Sequence, residues 1–518
     1  MKRKIFILAA IVTLTAVCAV ILAGCADVKG AEEFSLTPAS EQTRESVLSS
    51  DVAYEYLEWM GGEEMISRYG SVDSGEINVN YGIGRAAMAL AAEMDEMGYL
   101  PQEDIAVYVG ENGAVTSLSA NSQKVTGIMR VNTSIQGQES LNVVYVKPAK
   151  TEEGQSSAGQ VVITAHFDNL FDMPSADGQV ITAEGAYENG AAVAAMLYVA
   201  QLLQDTELPF DVVFAFLGSS VISANNSIYY CWNGASALKD FLPTMFGKEY
   251  NLLLNITLWR LGGGEKLYMY SSDRDTSYNN YFYAAAAADG LDFAKVPEYK
   301  HAFTETFASQ ILATSPSGVF HPGLLNDSIY FVNDGVPTLT YMSLDWEGGK
   351  ENSGGKNCAF TGNDTLSNML LARGGGEEGK KAVKAQLNGV AFNIVTALTG
   401  ENAQQFLSVI STAREELADN GSALYGLSVA TMVLTWALVI GFLVAAIVLR
   451  GKNVTKMAMR RPPVDPTRPP QDSFTEFNKG QGSPFEEFDE DKNKGRGGNS
   501  GSGNAGGGSG GDDIFEGF

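Results

Sequence analysis

"VVITAHFDNL" (residues 161–170) decides the reading of this chain. An apolar, β-branched run without alternation reads as a strand buried on both faces. It ends in His166, and Asp168 follows two residues later. Strands of an open parallel sheet deliver such side chains to their C-terminal ends, where the sites of α/β folds lie.

The flanking segments extend the pattern. "IAVYVG" (105–110), "KVTGIMRVNTS" (124–134), "LNVVYVKPA" (141–149), "FDVVFAFLGS" (210–219), "YNLLLNITLW" (250–259), "EKLYMYSS" (265–272) and "VPTLTYMSL" (336–344) read as strands. "GAAVAAMLYVAQLLQD" (190–205), "YNNYFYAAAAADG" (278–290) and "EGKKAVKAQLNGVAFNIVTALTG" (378–400) read as helices. An amphipathic helix over residues 77–100 should stop near Gly98. Apolar strands alternating with helices predict an α/β domain over residues 51–402, a mostly parallel central sheet with helices on both faces.

The net charge of −26 over 518 residues excludes nucleic acid as a partner, because phosphate binding needs a basic face. None of the four cysteines forms a CxxC pair, which excludes a cysteine-based zinc site. Whether Cys231 and Cys358 pair is open at this stage, since spacing in sequence does not give Cα separation.

Both ends of the chain point to a membrane. "MKRK" precedes an uncharged run from Ile5 to Ala26, the pattern of an export signal over residues 1–25. Leu22-Ala23-Gly24-Cys25 resembles a lipobox, which makes Cys25 a candidate for lipidation; an uncleaved anchor and simple cleavage are the other readings. Residues 424–450 carry no charge before Arg450, long enough to cross a bilayer core of about 30 Å. Residues 403–423 form a juxtamembrane segment. Arg450, Lys452, Lys456, Arg460 and Arg461 place the C-terminal side in the cytoplasm and the main domain outside.

The Pro- and Gly-rich tail, 451–518, cannot bury a core and is expected to be disordered. It repeats one small pattern: Phe474 with Phe477, Phe485 with Phe488, and Phe515 with Phe518, each beside acidic residues. One helical turn would set each pair on one face, suiting a docking motif for a cytoplasmic protein.

In serial order the segments also resemble metallopeptidase family twenty-eight, the two-zinc aminopeptidases of the leucyl aminopeptidase and aminopeptidase Y type. "VVITAHFDNL" resembles its His-x-Asp strand, and "GAYENGAAVAAMLYVAQLL" its Gly-Ala-Asp-Asp-Asn-x-Ser-Gly motif and helix. "FDVVFAFLGSS" resembles the strand before a Glu-Glu pair, "NDSIYFVNDGVPTL" a Ser-Asp-His segment, and "FTGNDTL" a His-Thr-x-x-Asp-Thr-Leu segment. The resemblance spans roughly residues 55–400.

Family chemistry needs two zinc ions, a bridging Asp between them and a Glu that takes a proton from metal-bound water. Carried across by position, His166 survives as a ligand and Asp168 as the group that orients it. The bridging Asp falls on Tyr187, the Glu-Glu pair on Ser219 and Ser220, the next Asp on Trp259 and the last His on Phe360. The His of Ser-Asp-His falls on Ser328, with Asp327 kept. Glu184 and Glu188 flank Tyr187 and, with His166, are the one set from which a single-metal site could be rebuilt. His301 and His321 read as unrelated loop residues.

The resemblance therefore implies a degenerate, non-catalytic member with no cofactor. Its cleft would be lined by Tyr187, Glu188, Ser219, Ser220, Trp259, Asp327, Ser328 and Phe360, and would hold a peptide or a membrane-protein partner. Two alternatives stand beside this expectation: an active zinc aminopeptidase or carboxypeptidase at the cell surface, and a ligand sensor that signals through the tail.

Overall fold

A computed structural model of the protein describes residues 34–116, 121–152, 155–169, 173–174, 180–181, 184–224, 227–271, 277–295, 326–344 and 364–414. Residues 1–25, His301, His321, Cys358, Phe360, the apolar run 424–450 and the tail phenylalanines lie outside the described residues. Among the described residues no helix is long and apolar enough to cross a membrane.

Six strands position the site: β1 (Gln138–Lys147), β2 (Gln160–His166), β3 (Asp211–Leu217), β4 (Leu252–Trp259), β5 (Lys266–Ser271) and β6 (Thr338–Leu344). They run in the order β1-β3-β2-β4-β6-β5 within a sheet that has ten strands among the described residues. The central four, β3, β2, β4 and β6, are parallel. The flanking β1 and β5 are antiparallel to their neighbours. Every residue of β2, β3 and β4 is buried, as their predominantly apolar runs require.

Five helices matter here: α1 (Val52–Met60), α2 (Gly82–Glu96), α3 (Ala191–Leu203), α4 (Asn233–Phe246) and α5 (Gly376–Leu398). The pleat divides the core between them. Val161, Ile163 and Ala165 of β2 share one cluster with Val193 and Leu197 of α3. Val162, Val213 and Ala215 face the other way, onto Leu238 and Leu242 of α4. Burying one such leucine stabilises the fold by roughly 1.5–3 kcal/mol. Helix α3 lies against β2 and β4 and is itself covered by α1 and α5, so it is apolar almost all round.

Helix Glu41–Ser49 and residues 402–414 pack on this same core through Val47, Phe406 and Ile410, beyond the 51–402 limits. The helix expected from residue 77 begins at Gly82 instead. Residues 77–81 are held by another segment: Val79 N donates to Gly113 O and Val115 N to Ile77 O, both at 2.9 Å. The chain then turns so tightly that a Cβ on Gly84 would lie 2.1 Å from the Asn78 carbonyl oxygen.

Candidate functional site

Parallel register sets the ends of the central strands side by side. His166 ends β2 opposite Leu217 of β3, and Trp259 ends β4 opposite Met342 of β6. The segments that follow, and the turn 185–190 before α3, close over this edge. Gly185 makes that turn possible. It has φ +63, and a Cβ there would lie 2.9 Å from the Asn169 Cβ.

His166, 1% exposed, sits between two carboxylates. Its Nδ1 is 2.8 Å from Asp327 Oδ2. Its Nε2 is 3.1 Å from Glu188 Oε1, an ionic contact rather than an aligned hydrogen bond. Ser220 Oγ donates to Asp327 Oδ1 at 2.5 Å, and Ser220 N to Asp168 Oδ2 at 3.1 Å. Trp259 Nε1 donates to Glu188 Oε1 at 2.9 Å, while Arg260 Nε pairs with Glu188 Oε2. The Arg260 guanidinium also lies over the Trp259 ring, 4.5 Å from its centroid.

A second layer fixes the turn. Asp364 accepts Tyr187 N at 2.7 Å and Glu188 N at 3.0 Å. The Tyr187 hydroxyl donates to Ser343 O at 2.8 Å. Asn189 Nδ2 donates to Leu258 O at 3.1 Å, and its Oδ1 accepts Arg260 N at 2.8 Å. Buried Arg68 donates from Nε to Phe167 O at 2.6 Å and from Nη1 to Met60 O at 2.8 Å. It thereby ties α1 to the loop after His166.

The charges are mutually compensating. Burial works against a cationic His166, but Asp327 and Glu188 outweigh it and raise its pKa to about 10. Burial likewise opposes the Glu188 charge, yet Arg260 and His166 hold its carboxyl below the usual range. Asp364 goes the other way: burial pushes it up to about 7 despite its two backbone donors. Burial also pushes the Cys231 thiol up to about 12, so it is no nucleophile at neutral pH.

Residues 142–372, which hold this whole constellation apart from Arg68, match peptidase family M28. Over those residues the chain resembles peptidase family M28. No curated protein matches it. The chain is similar to a zinc aminopeptidase from Bacillus subtilis at 13% identity and a TM-score of 0.42, over 68% of this chain and 95% of that one. It is similar to a Tannerella forsythia glutaminyl cyclase at 18% identity and a TM-score of 0.38, over 64% and 94% of the two chains. A Zn-dependent exopeptidase from Parabacteroides distasonis matches at 14% identity and a TM-score of 0.39, over 66% and 97%.

In this chain the described groups at the expected ligand positions do not fit a two-zinc centre. The Tyr187 hydroxyl and the Trp259 indole N–H both act as donors here, to Ser343 O and to Glu188. Ser219 and Ser220 supply hydroxyls where the chemistry needs a carboxylate base and a carboxylate ligand. Among the described residues no three His, Cys, Asp or Glu side chains are arranged to hold a metal ion.

The fold brings together His166, Asp168, Tyr187, Glu188, Ser219, Ser220, Trp259, Asp327 and Ser328 at one end of the sheet. All are buried, so the described part of the expected cleft is a closed polar cluster. Glu184 serves elsewhere: its carboxylate accepts Leu366 N at 2.8 Å. Sequence reading missed Arg260, Asp364, Asn189 and Arg68. A signal existed for Arg260, a lone basic residue directly after a strand that carries no acid. Nothing local marks Arg68, whose partner Phe167 O lies 99 residues away.

Proposed function

We propose that this M28-like domain is a non-catalytic binding or scaffold module, carried outside the cell on a membrane anchor. One observation carries the reading: both Glu188 oxygens are engaged by His166, Trp259 and Arg260, so the carboxylate facing His166 Nε2 is committed to structure. The apolar runs 5–26 and 424–449, with basic residues on the outer flank of each, support attachment to a membrane. The partner outside is a peptide or a membrane protein, and the three Phe-x-x-Phe segments would dock a cytoplasmic protein.

Elemental analysis and amide hydrolysis test this. The purified full-length protein should carry no stoichiometric zinc and should not release amino acids from amino-acid amides. About two zincs per chain with chelator-sensitive hydrolysis would overturn the proposal in favour of an active peptidase. Truncation after residue 470 should remove cytoplasmic partners; an unchanged set would overturn the tail assignment.

A further inference from the structure

We propose that the Arg260 guanidinium is the fixed replacement for a divalent cation in this domain, a built-in positive charge that closes the site to metal. The inference deepens the non-catalytic reading and rests on it.

Arg260 is placed with care. It directly follows the last residue of β4 and has φ +48, a left-handed conformation that is strained for a non-glycine residue. Its amide is anchored on Asn189 Oδ1 at 2.8 Å. Its guanidinium rests on the Trp259 ring and reaches the buried Glu188 carboxylate, leaving the residue 6% exposed. A solvated arginine needs no left-handed turn, no amide anchor and no aromatic shelf. Together they aim one cation at the carboxylate beside His166.

The chemistry of the group decides what this does. A divalent ion at this point would need electron pairs from Glu188 and from His166 Nε2. Glu188 Oε2 is already paired with Arg260 Nε, and Oε1 with Trp259 Nε1. A guanidinium has donors only, keeps its proton at any pH a protein survives, and has no open coordination position for water. It can neutralise the carboxylate but cannot activate a nucleophile. Metal entry would require the ion pair to break inside a buried site, leaving an unpaired guanidinium there.

Thermal melting of the full-length protein in detergent tests this, with zinc alone or EDTA as the added reagent. Wild type should melt at one temperature in buffer, zinc and EDTA. Arg260→Met should lower Tm by roughly 5 °C or more, because it strands a buried anion. Adding Glu188→Gln to that variant should recover part of the loss, since the stranded charge is gone. Zinc should raise Tm of Arg260→Met and leave the double variant unmoved.

A wild-type Tm that zinc raises or EDTA lowers would overturn the proposal. So would a double variant no more stable than Arg260→Met. If Arg260→Met does not fold, the wild-type arms still decide, and Arg260→Lys must fold with a zinc-insensitive Tm. Amide hydrolysis by wild type would sink the non-catalytic reading by a separate measurement, while the melting cycle is scored on stability alone.

Discussion

The indole N–H of Trp259 donates to the Glu188 carboxylate at 2.9 Å, at the end of a strand that carries no acid of its own. The indole and Glu188 are both about 1% exposed, so this hydrogen bond lies out of reach of solvent. It turns a ring into part of a charge network.

Glu188 should therefore be a stability residue. Glu188→Ala leaves His166 and Arg260 facing each other without their shared anion. The expected loss is about 3–5 kcal/mol, the range for breaking a buried ion pair from one side. Urea denaturation checks it. A change within ~0.5 kcal/mol, typical of a neutral surface substitution, would contradict the network.

Ser220→Ala should be milder. It removes the 2.5 Å hydrogen bond to Asp327 Oδ1 but leaves the backbone contact to Asp168. One lost hydrogen bond to a charged acceptor should cost about 1.5–3 kcal/mol. Were Ser220 a nucleophile, the variant would lose hydrolysis instead of stability, so paired melts and amide assays separate the two.

Stability should fall on the alkaline side. The folded-state pKa of His166, about 10, lies above the ordinary 6.5. Its contribution is then fully present below about pH 6.5 and is lost as pH rises through 10. Melts between pH 6 and 10 should show a declining Tm that flattens in His166→Gln. Asp364, raised to about 7, adds a decline of the same sign at lower pH. A wild-type Tm that rises over this range would contradict both assignments.

Arg68→Met should unfold the loop after His166 or the whole domain. The guanidinium is fully buried and donates to the carbonyls of Phe167 and Met60. Stranding buried carbonyls costs about 1–3 kcal/mol each. Hydrogen exchange of the Phe167–Asn169 amides reads it: protection should drop there first. Unchanged protection would show that Arg68 is dispensable.

Much of the fold was legible because local chemistry announces it. "VVITAH" and "DVVFAFL" are buried on both faces, so their runs are predominantly apolar and mark central parallel strands. The late start of α2 was not legible. It depends on Val79 and Ile77 bonding across to residues 113 and 115, a long-range choice that overrides helical spacing. That non-ligand residues stand at Tyr187, Ser219, Ser220 and Trp259 was an expectation drawn by position from the resemblance. Glu188 was placed beside His166 as a possible metal ligand; that Arg260 and Trp259 would take up its carboxylate instead could not be read.

Sequence by itself determined the α/β class, the His166 strand end and the absence of the expected ligand types, because these follow from residue chemistry and short-range periodicity. Only the tertiary structure decided the fate of the leftover charges. Arg260 and Glu188 stand 72 residues apart, and His166 and Asp327 stand 161 apart. Parallel register and the turn at Gly185 bring them into contact, and burial then makes their pairing obligatory.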